Sequence, residues 1–122
     1  MSAAGAFQSD PRRGEVWMVS FNPQSGAEIG KTRPAVVISL DSIGVLPLRI
    51  VVPITEWSPR YAKLPWMVNL KPANNNGLSK ESAADTFQVK SVSLDRFGKR
   101  LGRLEIEQSD EIAQIVAFCV GA

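Results

Sequence analysis

Apolar residues in this chain keep two different periods, and the change between them limits the folds it can adopt. As far as residue 92 they come in short runs broken by proline, glycine or asparagine, the pattern of strands joined by turns. After residue 108 the spacing lengthens. Ile112, Ile115, Val116 and Cys119 fall at i, i+3, i+4 and i+7, which is one face of a helix. Ser109 stands where an N-cap is expected, and Asp110 and Glu111 suit the positive end of a helix dipole. Five or more short strands followed by one amphipathic C-terminal helix predict a mainly β (α+β) fold. Its expected form is a small, strongly bent sheet or half-open barrel with the helix packed on it.

Residues 14–21 alternate, with Val16, Met18 and Ser20 on one side and Trp17, Val19 and Phe21 on the other. Both sides are largely apolar, so this strand is expected to be covered on two faces. Residues 33–40, 48–54 and 66–70 read as further strands, and residues 82–92 as one or two more, weakened by Ala83 and Ala84. Pro53, near the exit of the third strand, points to an edge or a bulge. Residues 41–47 and 72–77 carry turn chemistry, and residues 55–63 form a polar connection.

A chain of 122 residues suits one domain, expected over residues 11–122 after a short disordered lead at residues 1–10. The lead lacks the apolar core of a signal peptide, and no stretch is long and apolar enough to span a membrane, so a cytoplasmic location is expected. The net charge of +2 does not diagnose nucleic-acid binding, and the basic run at residues 90–103 reads as a solvated face. The single cysteine, Cys119, excludes an internal disulfide and reads as a small buried hydrophobe. The chain has no histidine, which removes Ser-His-Asp and Cys-His catalysis and most zinc sites. Chemistry here must use arginine, lysine, carboxylates, hydroxyls or backbone amides.

Arg33 is the first candidate for it. Pro34 confines Arg33 to extended backbone, and the guanidinium leaves a rigid strand start beneath a loop, residues 22–31, that carries Gly26 and Gly30. A permanently charged planar fork there suits phosphate oxygens; a surface ion pair with Glu28 or Glu15 is the competing reading. Thr55 ends the apolar run 50–54 and offers a hydroxyl at the rim of the core, although a strand-end threonine also serves as β-former and turn donor alone. Glu28 is placed either to orient Arg33 or to stand as an exposed loop charge. Trp57, Tyr61 and Trp66 interleave with Arg60 and Lys63, a composition that can stack unpaired bases; Trp66 also suits a core or subunit interface, and Trp17 suits the core.

Taken in order, Arg13-Gly14-Glu15-Val16-Trp17, Gly26-Ala27-Glu28, Arg33-Pro34-Ala35-Val36-Val37-Ile38-Ser39 and Val52-Pro53-Ile54-Thr55 resemble the MazF/PemK family of toxins from toxin–antitoxin modules. Gly77-Leu78-Ser79-Lys80-Glu81-Ser82, Gln88-Val89-Lys90-Ser91-Val92 and Arg100-Leu101 are similar to that family's second half. The resemblance implies an SH3-like plasmid-maintenance-toxin barrel, assembled as a homodimer, that cuts single-stranded RNA without metal or cofactor. It implies attack by the ribose 2′-hydroxyl, leaving a 2′,3′-cyclic phosphate and a 5′-hydroxyl. It places catalysis at Arg33 and Thr55. Glu28 is expected in a supporting role, and Lys31, Trp57 and Gln88 are the expected substrate-binding residues. It also implies an antitoxin whose acidic flexible segment crosses the dimer groove and displaces the loop 22–31. Phe87, with Asp85 two positions earlier, departs from the acidic residue that many members carry before Gln88, and the Arg–Asp pair of the PemK/Kid type has no match there.

Two other classes fit a small β domain. A gyrase poison like the CcdB family would need a C-terminal Trp-Gly-Ile tail, whereas this chain ends Phe118-Cys119-Val120-Gly121-Ala122. A non-catalytic SH3-like binding module is the other, because fold does not fix function.

Overall fold

In the computed structural model, which describes residues 10–43 and 45–122, the apolar run at residues 50–54 is the middle of the longest strand, β3 (Leu48–Glu56). The expected lead at residues 1–10 lies, apart from Asp10, outside the described residues. Around β3 stand β1 (Glu15–Ser20), β2 (Thr32–Val37), β4 (Met67–Leu70), β5 (Ser82–Asp85), β6 (Lys90–Ser93), β7 (Phe97–Arg103) and one C-terminal helix, α1 (Ile106–Cys119). All the strand pairs are antiparallel, in the order β4-β5-β3-β2-β1-β7, with β6 also on β3. The sheet is bent and does not close, as expected of a half-open barrel.

β3 is not the edge strand that Pro53 suggested. One of its sides pairs with β2 at the middle of the strand, through Ala35↔Pro53, Val36↔Val52 and Val37↔Val51. The other side changes partner midway, from β6 at residues 48–51 to β5 at residues 54–56. Val52 and Pro53 lie at the changeover and pair with neither. The proline, which has no N–H, therefore costs no rung on that side.

Alternation along the strands sorts apolar side chains into two clusters. Val16, Val36, Val52, Ile54, Leu70 and Ala84 form one, which Ile112 of α1 completes from above. Trp17, Val19, Phe21, Ala35, Val37, Val51 and Val92 form the other. β1 is thus covered on two faces, as its pattern indicates, with Val16 and Val19 fully buried.

The helix starts earlier than Ser109. Its N-cap is Glu105, in a capping box with Gln108, and Ser109 is a buried helical residue whose hydroxyl donates to the Ile106 carbonyl at 3.1 Å. The last turn is only half-buried, with the Cys119 thiol 3.6 Å from the Thr86 hydroxyl.

β7 lies inside the basic run that reads as a solvated face. Its residues are mostly exposed, but it pairs with β1 through two register shifts, and its arginines work structurally. Glu15, nearly buried, accepts from the Arg100 side chain and the Trp17 indole at 3.0 Å each and from the Arg12 amide at 2.8 Å. Trp17 also meets Phe97 edge to face, with centroids 5.8 Å apart.

The asparagine turn holds the other side of β7. Buried Asn76 satisfies itself within the turn, accepting from the Ala73 and Leu78 amides and donating to the Lys71 carbonyl at 2.9 Å. Backbone then meets backbone closely. A Cβ on Gly102 would stand 2.4 Å from the Asn75 carbonyl oxygen, and one on Gly77, whose φ is +72°, would stand 2.3 Å from that of Leu101. Gly102→Ala is therefore expected to lower unfolding free energy by about 1–3 kcal/mol. The exposed Lys99→Ala should cost less than about 0.5 kcal/mol. Urea denaturation of the two variants checks the difference.

Candidate active site

The alternation that puts Val36 and Val52 under α1 turns Arg33 and Thr55 to the opposite face. The β2–β3 register of Ala35↔Pro53, carried two residues further, sets Arg33 across from Thr55. Thr55 pairs in turn with Ala83 of β5, so Asp85 shares their face as the diagonal neighbour of Thr55. Three adjacent strands thereby present a cation, a hydroxyl and a carboxyl on one surface, with only the small Ala83 side chain between them on β5.

Arg33 makes neither of the surface ion pairs considered from the sequence. Its Nε donates to the Gly30 carbonyl at 2.8 Å and its Nη1 to the Thr55 hydroxyl oxygen at 3.2 Å. Two of the five guanidinium N–H groups are used in this way, and three remain for an anion. The Gly30 bond fixes the fork from the loop side and the Thr55 bond from the sheet side. Thr55, accepting from Arg33, keeps its own hydroxyl proton free to donate.

Arg33 and Thr55 stand in the wall between two clefts of about 500 and 490 Å³. Lys31, Pro34, Ser79 and Lys80 line the first; Glu28, Tyr61, Asp85 and Gln88 line the second. Sharing Lys31, Arg33 and Thr55, the two clefts make one groove across the open face.

The remaining expected residues divide. Lys31 lines both clefts and holds a left-handed backbone conformation, φ 67°. Glu28 lines the second cleft but makes no bond to Arg33; the Gly30 carbonyl does the orienting. Gln88 spends its amide on the loop, accepting from the Ile29 amide at 3.1 Å and donating to the Ala27 carbonyl at 3.0 Å. It clamps the loop at its centre, while Asn22 and Lys31 close its base. Trp57 does not line the cleft. It braces Tyr61 edge to face at 5.8 Å, and Tyr61 is the aromatic that reaches the cleft, with Arg60 over its ring.

Sequence reasoning passed over Asp85 as a functional group. Its Oδ1 is the one buried side-chain polar atom among the described residues without a hydrogen-bond partner. Burial raises its pKa above the ordinary 3.8, against the opposing pull of the Phe87 and Gln88 backbone amides. The sign follows: protonated Asp85 favours the fold fully below the unfolded value, and this contribution is lost as pH rises through the folded one. The fold holds the ionised form of this group against its own solvation preference. A half-buried acid with one oxygen left unpartnered, on the face that carries Arg33 and Thr55, marks a candidate functional group.

The fold that carries this groove belongs to a known architecture. Residues 12–119 match the family described as PemK-like, MazF-like toxin of type II toxin–antitoxin system. Endoribonuclease MazF9 of Mycobacterium tuberculosis is 34% identical, over 85% of this chain and 93% of its own. The crystal structure of MazF from Deinococcus radiodurans superposes with a TM-score of 0.79 at 26% identity, covering 93% of this chain and 99% of that one. A MazE–MazF structure from the same organism gives 0.71 at 26% identity, with 93% and 97% covered. With nearly its whole length matched, the chain belongs to the PemK-like, MazF-like family of toxins of type II toxin–antitoxin systems.

Proposed function

We propose that this toxin is an endoribonuclease that cuts single-stranded RNA without a metal ion, by attack of a ribose 2′-hydroxyl on the adjacent phosphorus. The observation that carries the reading is the Arg33 fork, held by the Gly30 carbonyl and Thr55 with three N–H groups uncommitted at the groove. Relatives named as endoribonucleases support the activity. RNA brings its own nucleophile, so the protein has to align the 2′-oxygen with phosphorus and stabilise charge on the phosphoryl oxygens. Arg33 does the second with charge-assisted bonds to non-bridging oxygens. The Thr55 hydroxyl donates to the same phosphate while its oxygen keeps the fork in register. Lys31 and Lys80 flank the path of the strand, and Tyr61 offers a ring to an unpaired base.

The working form in this reading is a homodimer in the cytoplasm. The apolar side chains of Leu40, Ile43, Leu46, Leu48 and Ile50 remain between 42 and 57% exposed on the single chain, a surface suited to a second copy. An antitoxin silences the toxin by laying an acidic segment along the groove, against Arg33 and Lys31, and by moving the loop 22–31 that Gln88 clamps. The solved MazE–MazF assembly of Deinococcus radiodurans supports an antitoxin partner.

Purified protein incubated with single-stranded RNA in EDTA is expected to leave 2′,3′-cyclic phosphate and 5′-hydroxyl ends; intact RNA would overturn the reading. Arg33→Ala should lower kcat/KM by about 100- to 1,000-fold, the usual loss of a preorganised donor. Arg33→Lys should be nearly as poor, because lysine keeps the charge and loses the fork. Thr55→Ala is expected to cost about 10- to 100-fold, as one charge-assisted bond is lost. Gln88→Ala should speed amide exchange of Ile29 by about tenfold while core strand amides stay protected, measured by hydrogen exchange.

A further inference from the structure

The assignment of Arg33 and Thr55 leaves one role empty. Neither group can take a proton from a hydroxyl near neutral pH, and the chain has no histidine to do so. We infer that Asp85 fills it, as the general base that removes the 2′-hydroxyl proton; this inference rests on the endoribonuclease reading. Three observations place it there. The register sets Asp85 on the face of Arg33 and Thr55, one residue pair beyond Thr55 on the neighbouring strand. Asp85 lines the same cleft as Arg33 and Thr55. And Oδ1 is buried without a partner, whereas the carboxylates of Glu15, Glu56 and Glu81 are bound in ion pairs.

In the step, the 2′-oxygen forms its bond to phosphorus while Asp85 accepts the 2′-hydroxyl proton. The bond between phosphorus and the 5′-oxygen breaks, the leaving oxygen takes a proton from water, and Asp85 returns its own to solvent. Arg33 holds the phosphoryl oxygens throughout. Burial makes the carboxylate a stronger base, which is the direction this work requires. The Phe87 and Gln88 backbone amides oppose that shift. The charged and titratable groups that line its cleft are Arg33 from β2, Lys31 and Glu28 from the loop and Tyr61 from the turn after β3. On β4 its cross-strand partner is the uncharged Met67, and from α1 the Cys119 thiol touches the adjacent Thr86.

The test is the pH dependence of RNA cleavage in EDTA by the full chain and by Asp85→Asn, Asp85→Ser and Asp85→Glu. In the wild type, kcat/KM is expected to rise with pH along an acid limb and then level. Asp85→Asn and Asp85→Ser should lose that limb and fall by about 100- to 10,000-fold. Asp85→Glu, which keeps a carboxylate, should retain the limb at reduced rate. Thermal melts at neutral pH should show Asp85→Asn as stable as the wild type or more so, because the amide carries no charge to desolvate. Retention of the limb in folded Asp85→Asn or Asp85→Ser, or cleavage within threefold of wild type, would overturn the assignment while leaving the nuclease reading intact. A wild-type chain that fails to cut RNA would instead remove the nuclease reading and this inference together.

Discussion

The register between β2 and β3 decides what this protein can do. It pairs Val36 with Val52 beneath the helix and, by the same count, brings Arg33 opposite Thr55 on the other face. A strand pair slipped by one residue exchanges its faces, which would drive the guanidinium into the apolar cluster under α1 and turn valines to the groove. The core and the site are therefore two readings of one alternation. The apolar burial that makes the slip prohibitive also fixes the cation to its hydroxyl partner. Arg33 needs no ion pair to stay in place, so its charge remains available.

Much of this is legible in the sequence because it depends on nearest neighbours. The alternation at residues 14–21, the extended geometry that Pro34 imposes on Arg33 and the helical spacing of Ile112, Ile115, Val116 and Cys119 are local facts, and the structure keeps them. What was hidden depends on partners far along the chain. β7 has two glycines, three cations and broken alternation; it is a strand because β1 and the asparagine turn accept it, and its arginines serve the buried Glu15 85 or more residues away. Gln88 looks like a substrate contact until the loop 22–31 is folded onto it across some 60 residues. Pro53 signals an edge by local rule. The sheet answers with a central strand that changes partners at that residue. Asp85 stands out in the sequence only as an acid two positions from where the family carries one; the folded sheet shows that its Oδ1 is buried without a partner and that it shares the face of Arg33.

The loop and the groove form one mechanical unit. Gly30 supplies the carbonyl that holds Arg33 Nε, and Gln88 holds the loop one and three residues before Gly30, so the orientation of the guanidinium depends on where the loop lies. Arg96 adds a tie from the start of β7, donating to the Ser20 and Asn22 carbonyls. Displacing the loop therefore removes one of the two constraints on the fork. A segment that occupies the groove and shifts the loop would block the substrate and disarm the cation in a single movement. Inhibition of that kind needs no second site.

A ribonuclease without histidine has to find acid–base chemistry among groups whose ordinary pKa values lie far from neutral. Arginine lies too high to act as a base and an exposed carboxylate too low to be a strong one. Burial is the remaining means of adjustment, and it acts on carboxyls in the useful direction. It also carries a penalty in stability, which a structural site would relieve by pairing the group. Here β5 places Asp85 where a hydrogen-bond donor could have stood, and leaves Oδ1 without one. Pairing it with Arg33 would have relieved the penalty, but it would also have lowered the pKa and consumed the fork. The sheet keeps Arg33 bonded to neutral acceptors instead, the Gly30 carbonyl and the Thr55 hydroxyl, so that cation and carboxylate do not consume one another.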